Sequence, residues 1–219
     1  MAHTLITGAE SGLGLALTRA FIDAGSNVAA LCRESTPELD ALAPDIHAGV
    51  DVTNAAAVYR AAAEIGDRTI DVLINNAGIM IEDDIDRIDI AAVRSQFEVN
   101  ALGPLSVALA FRKRFRRGSR VVNISSRLGS IGDNESGEDY GYRMSKAAQN
   151  MLTSSLAIDL AKEDVIVAAL HPGIVATGMT GGKGTPADEV AHDLKAVIDA
   201  LDASQSGCFL DRFGAGIPW

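Results

Sequence analysis

His3-Thr4-Leu5-Ile6-Thr7-Gly8-Ala9-Glu10-Ser11-Gly12-Leu13-Gly14-Leu15-Ala16-Leu17-Thr18-Arg19-Ala20-Phe21-Ile22 is the stretch on which the reading of this chain turns. A short run of β-branched and leucine residues, Thr4–Thr7, reads as a buried strand. It passes into a turn with glycine at 8, 12 and 14, and then into a segment of helical period, Leu13–Ala24. Glycine admits positive φ and lets backbone approach a ligand with no Cβ in the way. The helix that follows offers unpaired N–H groups and a partial positive charge, which suits a diphosphate. Gly25 stands where a helix C-cap belongs. A glycine turn alone also serves as a tight βα connection. Its place here, after the first strand and opening the first helix, points to a dinucleotide site formed by Gly8, Ser11, Gly12, Leu13 and Gly14. The spacing is G-x-x-x-G-x-G, not G-x-G-x-x-G.

Outward from this turn, further strands are expected at Asn27–Cys32, Ile46–Asp51, Val72–Asn75, Arg120–Ser125, Val165–His171 and Gly207–Asp211. Most are apolar without strict alternation, as in strands covered on both faces. Helical period recurs at Ala55–Ile65, Ile90–Arg116, Tyr142–Ala161 and Pro186–Leu201. This βαβα rhythm predicts an α/β, doubly wound Rossmann fold, a parallel sheet of about seven strands with helices on both faces. No repeat, low-complexity tract or linker divides the chain. Residues 1–219 read as one domain holding both cofactor and substrate sites.

A formal net charge of −10 argues against nucleic acid or an anionic membrane as the main partner. The basic run Arg112-Lys113-Arg114-Phe115-Arg116-Arg117 falls at a helix end, where cations complement the dipole. Glu82-Asp83-Asp84, with Asp86 and Asp89, reads as a solvated loop leading to a helix. Cys32 and Cys208 lie in apolar stretches and read as buried free thiols. His3, His47, His171 and His192 have no ligand spacing, so no metal is expected. No apolar run approaches the ~20 residues needed to cross a bilayer, and no export signal opens the chain. The expected setting is soluble and cytoplasmic.

Four further motifs follow in order: Asn75-Asn76-Ala77-Gly78 at the fourth strand's end, Asn100-Ala101-Leu102-Gly103 inside a long helical segment, Ile124-Ser125-Ser126 at the fifth strand's end, and Tyr142-Arg143-Met144-Ser145-Lys146 opening the next helix. With Thr7–Gly14 and Pro172-Gly173-Ile174-Val175-Ala176-Thr177, they resemble the short-chain dehydrogenase/reductase family over essentially the whole chain. Tyr140–Lys146, Leu170-His171-Pro172-Gly173 and Ile217-Pro218-Trp219 are similar to the C-factor/sniffer-like carbonyl reductases within it. The resemblance implies an oxidoreductase that moves hydride between a nicotinamide cofactor and a carbonyl or alcohol. A non-catalytic dinucleotide sensor of C-factor type is the alternative, and intact Ser126, Tyr142 and Lys146 favour the enzyme. A homodimer or homotetramer is the family habit, though a monomer is possible in this branch.

Tyr142 and Lys146 are four apart and share a helix face. As an isolated pair they would read as a surface contact. In family order, Tyr142 becomes the general acid/base, and a nearby ammonium is expected to lower its pKa. Ser126 holds and polarises the substrate carbonyl; strand alternation turns Ser125 the other way. Asn100 resembles the family's helix-interrupting asparagine, which organises water near the lysine. Asp51 resembles the adenine contact, Asn76, Ala77 and Gly78 the ribose side, and Pro172, Gly173, Val175 and Thr177 the nicotinamide side. Cys32 stands where an acid would bind a ribose 2′-hydroxyl, and Arg33 can pair with a 2′-phosphate, so NADP(H) is expected to be preferred over NAD(H). The glycine turn supplies no second base, and Glu10 opposes the phosphate if it points inward. Ser126 and Tyr142 are 16 apart, and the acidic loop between them is expected to border the substrate mouth. The short glycine-rich Gly178–Thr185 suggests an open, mobile site.

Overall fold

The computed structural model describes all 219 residues. Seven strands form one parallel sheet: β1 (His3–Thr7), β2 (Asn27–Leu31), β3 (Asp45–His47), β4 (Val72–Asn75), β5 (Arg120–Ile124), β6 (Ile166–His171) and, last in the chain, β9 (Phe209–Asp211). Their order is β3-β2-β1-β4-β5-β6-β9. The direction of travel reverses between β1 and β4, which opens a crevice beyond the strands' C-terminal ends. β7 (Val175–Ala176) and β8 (Thr185–Pro186) make a separate small parallel pair.

Apolar residues run continuously along the strands because both faces are covered. Leu5, Leu73, Val121 and Val167 enter one core with Val58, Phe111, Ala157 and Leu160. Their neighbours Ile6, Ile74, Val122 and Ala168 enter the other, with Leu17, Phe21, Leu194 and Ile198. Thus α1 (Gly12–Asp23) and α7 (Ala187–Ala200) cover one face; α3 (Ala55–Ile65), α5 (Gly103–Phe111) and α6 (Tyr140–Leu160) cover the other. α4 (Ile90–Phe97) packs on α6.

Three elements differ from expectation. β3 ends at His47, because the chain turns through Gly49 at φ +74° before Asp51. An additional helix, α2 (Pro37–Leu42), follows β2; Thr36 caps it by accepting from the Leu39 N–H at 3.3 Å, with Pro37 in the first turn. The single helix expected over Ile90–Arg116 is broken: α4 passes into a π-helical turn, Glu98–Leu102, then α5, then a 3₁₀ turn. Three of the four arginines that directly follow α5 are ion-paired, Arg112 with Glu163, Arg116 with Asp71 and Arg117 with Asp164, and Arg114 lies over the Phe111 ring.

Candidate active site

The glycine turn lies at the mouth of the crevice, with Gly8 at φ +64° and Gly12 at φ +52°. A Cβ on Gly14 would lie 1.9 Å from the Gly8 carbonyl oxygen, and one on Gly12 would lie 3.1 Å from Thr177 Cγ2. This close-packed backbone cradle at the start of α1 fits the diphosphate of a dinucleotide. The Asn76–Gly78 loop is stitched to it. Asn76 Nδ2 donates to the carbonyls of Thr7 at 3.0 Å and Gly8 at 3.2 Å; Thr7 Oγ1 accepts from the Asn76 and Ala77 N–H groups. Gly173, at φ +78°, turns the chain from β6 through Pro172 toward Val175 and Thr177 on the far side.

Arg33 follows β2 and is exposed. Its Nε lies 3.8 Å from Glu10 Oε1, and Glu10 Oε2 is buried without a partner. Glu10 therefore does point inward, toward the arginine. The same carboxylate, after burial itself, helps push the Cys32 thiol up to about 11. Asp51 accepts from the Thr53 N–H and hydroxyl, which hold its carboxyl below the usual range, helped by Arg33.

Ser126, Tyr142, Lys146 and Asn100 converge. Ser125, the last residue before the turn, sends its hydroxyl into the protein to donate to Asn150 Oδ1 at 2.6 Å. Ser126 faces the other way: its Oγ accepts from the Leu128 N–H at 3.2 Å and is near enough to the Tyr142 phenol to pull its pKa down. Asn100 sits in the π turn. Its Oδ1 accepts from the Ile79 N–H at 2.9 Å; its Nδ2 donates to the Ile79 carbonyl at 2.8 Å and Ser145 Oγ at 3.0 Å. Gly78 leaves room between Asn100 Oδ1 and Lys146 Nζ, which a Cβ there would approach at 3.2 and 3.7 Å.

The electrostatics depart from the expected lowering of Tyr142. Burial pushes its phenol up to about 12; the Ser126 hydroxyl pulls down and Asp139 pushes up further. Burial alone pushes Lys146 down to about 7. Nζ stands 5.8 Å from the Tyr142 ring centre and donates to the Ile124 carbonyl at 2.8 Å and Gln149 Oε1 at 3.0 Å. Desolvation outweighs the pair's mutual attraction when both groups are enclosed.

Two residues outside the expected set shape the site. Asp83 caps α6 from across the chain: its carboxylate accepts from Tyr140 N–H at 2.6 Å and Gly141 N–H at 3.1 Å, and its carbonyl accepts from Asp139 N–H. It is not simply part of a solvated acidic loop. His171, pushed down to about 4 chiefly by burial, accepts through Nδ1 from the Arg127 N–H at 3.2 Å and so fixes the turn after Ser126. The adjacent His-Pro-Gly run was a signal for the latter; nothing local marked the former.

The rim is ordered. Ser130 Oγ donates to the Pro218 carbonyl and Gly132 N–H to the Trp219 carbonyl, tying the loop after Ser126 to the C-terminal segment. The Trp219 ring stacks on Phe209 at 5.5 Å. Gly178–Thr185 is short and largely exposed, but it is built rather than loose: Thr180 Oγ1 accepts from the Thr177 N–H at 3.2 Å and donates its one proton to the Val175 carbonyl at 2.6 Å or the Lys183 carbonyl at 2.8 Å.

A Rossmann sheet, a diphosphate cradle and a Ser–Tyr–Lys cluster at its open edge define a nicotinamide-dependent oxidoreductase. A family model described as short chain dehydrogenase matches residues 2–187. The 1-hydroxy-2-glutathionyl-2-methyl-3-butene dehydrogenase of Rhodococcus sp. (strain AD45) is 36% identical over the full length of both chains. The C-signal protein of Myxococcus xanthus is 42% identical over 68% of this chain and 93% of its own. An NADPH-bound carbonyl reductase from chicken fatty liver superposes with a TM-score of 0.91 at 29% identity, covering 100% of this chain and 99% of that one. The chain belongs to the short-chain dehydrogenase family and is an NAD(P)(H)-dependent oxidoreductase.

Proposed function

We propose that this protein is an NADP(H)-preferring carbonyl reductase and alcohol dehydrogenase, with cofactor and substrate held in a single domain. The observation that carries this reading is the buried convergence of Ser126, Tyr142 and Lys146 beside the dinucleotide cradle. A sensor that only bound dinucleotide would have no use for it. Bound nicotinamide supplies the hydride in reduction and takes it up in oxidation. In reduction, Ser126 hydrogen-bonds the carbonyl oxygen and Tyr142 gives that oxygen its proton. The ammonium of Lys146 stabilises the phenolate that forms, and Asn100 holds the Ile79 backbone and Ser145 beside them. Oxidation runs the same proton path backward.

Arg33 supports NADP(H), since its exposed guanidinium flanks a strand end where Cys32 replaces an acid. The NADPH bound to the chicken carbonyl reductase supports it as well. Glu10 competes with a 2′-phosphate for Arg33 and keeps the discrimination modest. At the crevice rim Ile131, Ile174, Met179 and Phe213 are exposed, which supports an apolar carbonyl substrate. We further place the enzyme in the cytoplasm as a homodimer or homotetramer. Exposed Leu102, Leu109, Met144, Met151 and Ile158 on the helices of one face support that assembly. No helix is long and apolar enough to cross a membrane.

The test is a panel of ketones, aldehydes, quinones and alcohols with both cofactors, read by nicotinamide absorbance. Tyr142→Phe is expected to cut kcat on any good substrate by about 10²–10⁴-fold, with cofactor Kd within a few-fold. Near wild-type turnover in that variant removes Tyr142 from the mechanism.

A further inference from the structure

Gln149 lies on α6, one turn beyond Lys146 and fully buried. Its Oε1 accepts one proton of the Lys146 ammonium at 3.0 Å, and the Ile124 carbonyl accepts a second at 2.8 Å. The amide orientation follows from chemistry: an ammonium only donates, so the carbonyl oxygen must face it. That leaves Gln149 Nε2 buried with no partner. Leucine or methionine would fill a similar volume without leaving a donor unsatisfied. An amide kept there at that cost has a task, and the group it touches is the lysine.

We propose that Gln149 is a positioning residue for Lys146, directing the ammonium and favouring its charged form. The inference rests on the reading of Lys146 as part of the catalytic cluster. Charged side chains stand on the elements packed against α6: Arg94 on α4, Glu98 in the π turn, Arg127 after β5, Asp139 before α6. His171 closes β6. None of them moves Lys146, whose downward displacement comes from burial alone. Tyr142 is the titratable group that faces Nζ. Neutral acceptors are therefore what keep the ammonium charged, and Gln149 is the side chain among them. Because Lys146 titrates near neutrality, a small loss of support moves its charge across the working pH range.

The experiment uses the full chain with 13C-labelled lysine, with the Lys146 resonance assigned by its loss in Lys146→Met. Its titration midpoint is followed by NMR without cofactor, and kcat and KM are followed from pH 5.5 to 9. In Gln149→Leu the midpoint is expected to fall by about one unit, a tenfold change in the protonation equilibrium. kcat then drops several-fold more at pH 8 than at pH 6, while carbonyl KM is little changed. Gln149→Glu, which returns an acceptor with a negative charge, moves the midpoint upward and restores activity at pH 8. Unchanged midpoints in both variants, or a pH-independent loss of kcat, overturn the proposal. The NMR titration stands apart from turnover, so a shifted midpoint in an enzyme that tolerates Tyr142→Phe would condemn the catalytic reading and leave the Gln149–Lys146 coupling intact.

Discussion

Lys146 is enclosed at 4% exposure with only neutral acceptors on its ammonium. Its folded pKa near 7 lies far below the usual 10.5. Stability is therefore fully present above about pH 10 and is lost as the pH falls toward 7, where the unfolded chain binds the proton and the folded chain resists it. The shift corresponds to on the order of 5 kcal/mol at and below neutrality. Lys146→Met removes this cost but leaves the Ile124 carbonyl and Gln149 Oε1 unpaired, which takes back about 1–3 kcal/mol each. The terms largely offset at pH 7, leaving a net of about −1 to +3 kcal/mol, with turnover lost. The Tm of Lys146→Met relative to wild type should fall by several degrees between pH 7 and pH 9.5, as wild type sheds its cost; a Tm difference that does not change with pH would contradict it. Glu10 works by charge in the other half of the site. Glu10→Gln frees Arg33 and removes a like charge from an incoming phosphate. The ratio of kcat/KM for NADPH to that for NADH is expected to rise about two- to fivefold, the size of a surface ion pair's competition. A fall in the ratio would mean that Glu10 aids the phosphorylated cofactor.

The start of α6 is strained and held from outside. Glu138 and Asp139 both adopt positive φ, at 59° and 48°, a region uncommon for residues other than glycine. Asp139 makes no side-chain cap, and Asp83 satisfies the first N–H groups instead. Asp83→Ala should cost about 1–2 kcal/mol by analogy with cap removal, a Tm loss of several degrees. Because Tyr142 lies in that first turn, kcat should fall as well, while Asp83→Asn, which keeps one acceptor, recovers most of both. An unchanged Tm in Asp83→Ala would show the cap to be idle. The strands β1, β4, β5 and β6 and the catalytic pair were readable because their signals are local: apolar runs, glycines, and an i, i+4 spacing. Ser126 was separable from Ser125 by alternation alone. Asp83 and the Tyr140 N–H are 57 positions apart, and no pattern within a helix or strand encodes such a meeting. The Thr36-Pro37 start of α2, by contrast, is a local helix-opening signal.

Across the whole molecule the division of labour follows the sheet. The strands' C-terminal ends carry the cradle, the Ser–Tyr–Lys cluster and the apolar rim, whereas the paired arginines beyond α5 lie away from them. With a net charge of −10, no global field draws an anionic cofactor in; the glycine turn, the start of α1 and Arg33 must do so locally. The doubly wound parallel sheet and its covering layers followed from the βαβα alternation. The interruption between α4 and α5 did not follow from periodicity, because helical hydrophobic period continues through it; the resemblance at Asn100 was what pointed to it. That π turn holds one more residue per turn than an ideal helix, and each residue advances the helix by about 100°. Deleting Val99 would give a more regular helix and a rotated one, swinging everything after it by that angle. Asn100 would leave Ile79 and Ser145, and Gly103 would leave Val52. Here the irregular phase is the information, and a smoother helix would be the defect.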